Sequence, residues 1–401
     1  SAGDVDAVFA TAEHIFEDSY HLPAIHHGAI ETHGSLADYD AAGGLTVYTS
    51  TQDAFAQRLN LSRIFQLPLS RVRVAAPAVG GGFGGKIDLV TEPLAAALAI
   101  ASGRPVRLVY TRREDIAYSR TRHEMFLNVK TAVDGEGHIL AQAVEATVNA
   151  GAYAGISSSV VWAMCGKLFK LTRTANLRFC GTLVYTNTTP AGAMRGFGSP
   201  QLFFAQQRQL QKIANSLQLN PLELLQRNLV RPEDGDPRDN LSHGNPRPLD
   251  CLQRGAALFD WEGGRAEQEA SRLENGRYRI GVGLAAAAHG NGVYGVHPDA
   301  TGIILKLNED GTAVLFSGCC DMGNGSVSLQ RQLAAEILGL QPTDIACVQG
   351  DTGTSLWDMG NYSSRGTFVS GQAAVKVARA LRTELLREAE ELLATSSETM
   401  T

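Results

Sequence analysis

Five of the seven residues from Gly80 to Lys86 are glycine, and the run Gly80-Gly81-Gly82-Phe83-Gly84-Gly85-Lys86 follows directly on the β-rich stretch Arg71 to Val79. Lacking Cβ atoms, such a backbone enters φ-positive conformations freely and lets several N–H groups converge on an anion or a bulky ligand. The run therefore demands a fold in which a strand opens into a tight, unobstructed turn. It also satisfies G-x-x-x-x-G-K, but Ile87 follows the lysine where a nucleotide-binding loop needs Ser or Thr to hold magnesium. The ATPase reading fails at that residue. The plain alternative is a tight glycine turn with a solvated lysine.

Three further turns share this character. In Ala193-Met194-Arg195-Gly196-Phe197-Gly198-Ser199-Pro200-Gln201 an arginine and an aromatic ring stand on exposed backbone before a helix start, where Ser199 is the expected N-cap and Pro200 the first helical residue. That suits an anionic or planar ligand, and equally a capped helix with Phe197 packed in the core. Asp321-Met322-Gly323-Asn324-Gly325 follows a strand and precedes a helix, and Asn361-Tyr362-Ser363-Ser364-Arg365-Gly366-Thr367 leads to Gly371 and the last helix. Either alone is an ordinary loop.

Around these turns the periodicity changes repeatedly. Strands are expected at Arg71 to Val79, Val106 to Tyr110, Glu124 to Val133, Ile139 to Val148, Ala300 to Leu307 and Thr312 to Ser317. Helices are expected at Ala54 to Phe65, Glu92 to Ser102, Pro200 to Leu217, Ser328 to Leu338 and Gly371 to Leu393. Another starts at Asn220-Pro221, with Glu223 placed to complete a capping box. The class is α+β, with helices packed on mixed sheets. At 401 residues the chain exceeds what one core usually serves. Between Arg231 and Tyr278 it turns rich in Pro, Gly, Asp and Arg, with one short helix near Leu252 to Trp261. The expected division is 1–235, a connection at 236–275, and 276–401.

Composition removes several function classes. A net charge of -6 gives no basic field for a polyphosphate backbone, so nucleic acid is not an expected partner. The longest uncharged stretch, Ala146 to Gly166, is full of Gly, Ser, Ala and Asn, and no membrane segment is expected. Cys165, Cys180, Cys251, Cys319, Cys320 and Cys347 form no C-x-x-C pair and read as reduced thiols of a cytoplasmic protein. The adjacent Cys319 and Cys320 read as apolar residues at a buried strand end. His26, His27, Glu31 and His33 invite a metal site but lack H-E-x-x-H spacing, and buried histidines with backbone partners are the better account. The chain begins at Ser1 with no basic or apolar leader, which reads as a cut rather than a signal peptide.

In order and spacing, these residues resemble the large molybdenum-binding subunit of the xanthine dehydrogenase and aldehyde oxidase family. The likeness takes in Ile30-Glu31-Thr32-His33, Ser50-Thr51-Gln52-Asp53, Gly80 to Lys86, Thr186-Asn187 with Ala193 to Gln201, Asp321 to Gly325, and Gly350-Asp351-Thr352 before Ser363-Ser364. It implies two mixed α/β subdomains of the molybdenum cofactor-binding domain type, truncated at both ends relative to the family. The implied cofactor is molybdenum-molybdopterin, in mononucleotide or dinucleotide form. By the resemblance Gln52 approaches a molybdenum oxygen ligand, Gly82, Phe83 and Gly84 line the oxo face, and Arg195 stands beside the metal. Phe197 flanks a planar substrate, Gly323, Asn324 and Gly325 form a cofactor-bonding turn, and Ser363, Ser364, Arg365, Gly366 and Thr367 bond the pterin and its phosphate. The pterin dithiolene holds the metal in this family, so no protein metal ligand is implied.

The implied reaction is hydroxylation of an aldehyde or N-heterocycle with water as oxygen source and hydride transfer to a molybdenum sulfido ligand. A glutamate serves as base, and in the family it lies beyond the position of Thr401. No catalytic residue is therefore assigned, and the chain alone is expected to be inactive. Iron-sulfur and FAD centres are implied on partner domains or subunits, since no cluster-binding cysteine pattern occurs here. A homodimer is among the implied assemblies. Two departures matter. Ile87 replaces the glutamate that holds a purine, and Asn324 is one methylene shorter than the glutamine common between the third turn's glycines. They support an alternative, a cofactor-free scaffold or assembly module derived from the same family.

Overall fold

Alternation in Met125-Phe126-Leu127-Asn128-Val129 sends Met125, Leu127 and Val129 to one face of a strand, and all three are fully buried. The computed structural model, which describes residues 1–273, 276–293 and 298–396, pairs this strand, Met125–Val133, antiparallel with His14–Leu22 and with Ile139–Gly151. Leu177–Tyr185 adds to the edge in parallel with Ile139–Gly151. Helices Ser157–Leu168 and Ser199–Ser216 contribute Val160, Met164, Leu168, Leu202, Phe203 and Ala205 to the same core. This sheet belongs to a compact unit made of residues 1–25 and 122–289.

The second compact unit comprises 26–121 and 290–401. Its first sheet has the order Val72–Ala75, Leu45–Thr49, Gly34–Tyr39, Val106–Val109, with Ala54–Phe65 and Glu92–Ser102 supplying Ala54, Leu61, Ala95, Ala96 and Ala99 to the core. Its second sheet orders Ile303–Leu307, Ala313–Ser317 and Ile345–Gln349, against helices Ser326–Leu338 and Gly371–Leu393. Backbone bonds from Ala76 N–H to the Gly350 carbonyl and from Thr352 N–H to the Val74 carbonyl, both 2.9 Å, stitch the two chain segments together. The Arg73–Asp351 ion pair at 2.5 Å reinforces the seam.

The mixed α/β class is observed, and helices Ala54–Phe65, Glu92–Ser102 and Gly371–Leu393 fall where periodicity puts them. Compactness does not follow chain order: residues 236–273 fold with the first unit, while 26–121 join 290–396. Where one short helix was expected there are two, Pro248–Phe259 and Trp261–Leu273, broken at Asp260 with φ 55°. Glu262-Gly263-Gly264 hides the second start, because glycine in a first turn reads as loop. Asn220 caps its helix through Leu222 N–H at 3.0 Å, but Glu223 faces Arg227 at 3.5 Å and completes no capping box. Ser199 is no cap either. Gly198, at φ 88°, takes the cap position, which makes Ser199 the first helical residue and leaves its buried Oγ without a partner. Among the described residues no helix is long and apolar enough to cross a membrane.

Candidate functional site

In the second unit the glycine loop is anchored from below by one carboxylate. Glu31 Oε2 accepts from Gly80 N–H at 2.6 Å, Lys86 Nζ at 2.7 Å and Ser50 Oγ at 2.8 Å. Burial pushes the Glu31 carboxyl up, but the bonds from Lys86, Gly80 and Ser50 outweigh it and hold it below the ordinary range. Lys86 is 2% exposed, so the lysine is not solvated but buried and paired with the partly exposed Glu31. His33 is engaged at both ring nitrogens, by Asp115 Oδ1 at 2.6 Å and the Gly85 carbonyl at 3.0 Å. Among the described residues no group of three His, Cys, Asp or Glu is placed to hold a metal ion.

With its base fixed, the loop lifts Phe83 into solvent at φ 55°, between Gly81 at φ 94° and Gly84 at φ 101°. Gly82 has no room for a side chain, since a Cβ would stand 2.7 Å from Gln52 Cδ. That close approach lets Gln52 Oε1 accept from Gly84 N–H at 2.8 Å. The same carboxamide donates to the Asn361 carbonyl at 3.0 Å, and Asn361 N–H returns to the Gln52 carbonyl at 2.8 Å. Asn361 Nδ2 reaches the Cys320 carbonyl at 2.8 Å, with Asn324 Oδ1 and Ser326 Oγ each at 3.2 Å. One asparagine thus ties the glycine loop, the third turn and the fourth turn together. In the sequence it is only the first residue of a turn, and neither its burial nor its backbone partners can be read there.

The third and fourth turns divide their residues between scaffold and surface. Asp321 holds the third by accepting from Gly323 N–H at 2.8 Å and Val327 N–H at 3.1 Å. Around Gly323 and Gly325, at φ 96° and 75°, an added Cβ would meet nothing within 4 Å. Asn324 is exposed, yet its carboxamide is turned onto Asn361. In the fourth turn Ser363 and Ser364 are both at φ 53°, and Ser363 Oγ donates to the Gly292 carbonyl at 3.0 Å. Arg365 is fully buried and bonded to Asp299, Asp358 and the carbonyls of Gly360 and Ala300, at 2.8–3.0 Å, so its guanidinium supports the turn from inside. Gly366 allows the turn to close, a Cβ there lying 3.1 Å from Asn361 Oδ1. Ser364 and Thr367 are exposed, and their hydroxyls have no bond among the described residues. Gln330, one helical turn beyond Ser326, is fully buried with both amide atoms unpartnered.

These features fit a phosphorylated, hydrogen-bonding organic group. Room is left over Gly323 and Gly325, hydroxyls are free at Ser364 and Thr367, and the cations Lys86 and Arg365 are paired within the protein. Beside Gln52, burial raises the Asp53 carboxyl to about 7 against the bond it accepts from Ala56 N–H. Burial also pushes the Cys319 thiol up to about 12 and raises the Cys320 thiol well above its ordinary value, which leaves neither a reactive thiolate.

Arg195 and Phe197 lie in the first unit. The Arg195 guanidinium is exposed and makes no ion pair or hydrogen bond among the described residues. Phe197 is partly buried against the first-unit core at φ 47°. Their turn is held through its carbonyls: Arg122 Nη2 donates to Arg195 O at 2.8 Å, and Lys167 Nζ to the Gly196 and Phe197 oxygens at 3.1 Å each. Sequence reasoning singled out neither cation, although Lys167 is the first charge after the uncharged run ending at Gly166.

Two family models match the chain, each described as a molybdopterin cofactor-binding domain, over residues 1–229 and 254–401. A Bacillus subtilis (strain 168) protein named as a probable xanthine dehydrogenase subunit is 32% identical over 403 residues, covering 100% of this chain and 53% of that protein. The xanthine dehydrogenase molybdenum-binding subunit of Escherichia coli O157:H7 is 31% identical, again over 100% of this chain and 53% of its own length. Quinoline 2-oxidoreductase from Pseudomonas putida 86 superposes with a TM-score of 0.90 at 24% identity, covering 99% of this chain and 52% of that one, which shows a shared fold. The chain spans about half the length of the curated relatives it matches.

Proposed function

Because the chain belongs to the molybdopterin cofactor-binding domains of the xanthine dehydrogenase and aldehyde oxidase family, we propose that it is the cofactor-binding region of a molybdenum hydroxylase that oxidises an aldehyde or an N-heterocycle. The observation that carries the reading is the joining of three glycine turns of the second unit through Asn361. When bound, the molybdenum-pterin group would supply the two-electron oxidation and the site of oxygen transfer. This chain's residues bind and orient it. Gly82, Phe83 and Gly84 present backbone to it, and Gln52 keeps one amide hydrogen beyond its bond to Asn361 for a ligand oxygen. Ser364 and Thr367 offer hydroxyls to a phosphate, with Ser363, Arg365 and Gly366 setting the turn that carries them. Gly323, Asn324 and Gly325 frame the remaining approach.

Arg195 and Phe197 fit a partly anionic, planar substrate, and Ile87 favours one other than a purine, although the relatives above are named for xanthine. The reading gives no residue of this chain the role of proton acceptor, and it places the iron-sulfur and FAD centres on partner domains or subunits. The test is metal and pterin content of the purified protein, by elemental analysis for molybdenum and by fluorescence of the oxidised pterin released in acid. Stoichiometric molybdenum with pterin is the expected outcome. Neither one present, in protein made by cells competent for the cofactor, favours the scaffold reading that Asn324 and Ile87 suggest. Turnover of benzaldehyde by the 401-residue chain alone would show that a proton acceptor lies within it.

A further inference from the structure

The carbonyl oxygens of Arg195, Gly196 and Phe197 are consecutive, and each accepts from a cation. Arg122 reaches the first and is itself braced by Gln201 Oε1 at 3.2 Å. Lys167 takes the second and third together. Neither cation has a carboxylate within ion-pair distance among the described residues, and burial alone pushes the Lys167 ammonium down to about 8. A half-buried ammonium without a counter-charge burdens the folded state. Its contribution to the fold is therefore a weak reason for its place there.

Local geometry supplies a stronger one. Gly196, Phe197 and Gly198 run at φ 92°, 47° and 88°, a left-handed path that disfavours Phe197 in particular. Gly198 sits so close to helix Ser157–Leu168 that a Cβ would lie 3.0 Å from Met164 Cβ and 3.1 Å from the Val160 carbonyl. Val160, Met164 and Lys167 occupy successive turns of one face of that helix. The glycine turn lies along this stripe, and Lys167 closes its end.

We propose that Lys167 is a positioning residue for Arg195 and Phe197: by binding two adjacent carbonyls it locks the left-handed turn and fixes the direction in which the guanidinium and the ring are presented. The value of this to catalysis rests on the function proposed above, while the positioning itself does not require the cofactor. Arg122 acts as the second tether.

Hydrogen exchange of the whole chain, followed by mass spectrometry without added ligand, tests the idea. The turn is closed by Phe197 N–H to the Met194 carbonyl at 2.8 Å and Ser199 N–H to the Gly196 carbonyl at 3.0 Å, and those amides are the reporters. In K167M their exchange should rise about tenfold or more, with strands Met125–Val133 and Ile139–Gly151 unchanged. K167R, whose guanidinium has donors for both oxygens, should restore protection, and K167Q should fall between. Wild-type exchange in K167M, an equal rise across the whole first unit, or no rescue by K167R overturns the proposal. If K167M does not fold, K167Q and K167R decide: equal protection in both overturns it, and a graded loss supports it. Protein that carries no molybdenum but shows the local tenfold effect would count against the proposed function and not against this positioning role.

Discussion

The glycine turns of the two units solve opposite problems. In the second unit the polar and charged side chains Gln52, Lys86 and Arg365 are turned inward, each 2% exposed or less and bonded to the protein, and what faces outward is backbone, glycine space, small hydroxyls and the Phe83 ring. In the first unit the backbone carbonyls are the groups turned inward, onto Lys167 and Arg122, and the Arg195 side chain is left outward. A phosphorylated cofactor is gripped well by fixed N–H and O–H groups. An aromatic substrate is better met by a guanidinium and a ring. Which groups a turn conceals therefore says more about its ligand than which groups it contains.

The largest test of that contrast compares two arginines. R365M would leave Asp299 and Asp358 buried without their cation, and should lose about 3–5 kcal/mol in urea unfolding. R195M should stay within about 0.5 kcal/mol of wild type, because nothing among the described residues depends on that guanidinium. Equal losses would erase the distinction between inward and outward arginines. Next in size is G82A. Its methyl would displace the Gln52 carboxamide from Gly84 and Asn361, an expected loss of about 1–3 kcal/mol in the same assay with increased exchange at the Gly84 amide. A neutral G82A would mean that Gln52 does not hold the loop.

Much of this was legible in the sequence, and the failures share a cause. The turns were found because glycine runs after strands advertise themselves, and the long helices because of their apolar period, clearest in Ser199–Ser216, where Leu202, Ala205, Leu210 and Ile213 are buried. The side chains chosen for the site were less well read. Arg365 looks like an anion binder in Ser364-Arg365-Gly366, but its partners Asp299 and Asp358 are brought to it only by the tertiary fold. Asn361 and Lys167 went unnoticed for the converse reason: their importance lies in bonds to backbone atoms, which leave no trace in residue identity. Ser199 misled because a cap depends on whether the preceding glycine takes the left-handed form, and Gly198 does.

Taken per pH unit, the smallest expected effects are slopes of stability with pH, and they make the contrast electrostatic. Burial raises Asp53 in the second unit to about 7 from an ordinary 3.8, and lowers Lys167 in the first to about 8 from 10.5. For Asp53 the folded state holds a proton that the unfolded chain has released, so its contribution to stability is present below pH 3.8 and lost as pH rises towards 7. D53N keeps an N-cap acceptor for Ala56 N–H and should remove that slope, which is at most about 1.4 kcal/mol per pH unit for one proton. For Lys167 the unfolded chain holds the proton longer, so stability should rise with pH between 8 and 10.5, and K167M should flatten that rise and, with the burial cost of the charge fully present at pH 7, be no less stable than wild type there. Urea titrations of the two variants across both windows separate these effects. If K167M instead proves markedly less stable at pH 7, the ammonium supports the fold as Arg365 does, and the two units would bury their charges for the same purpose.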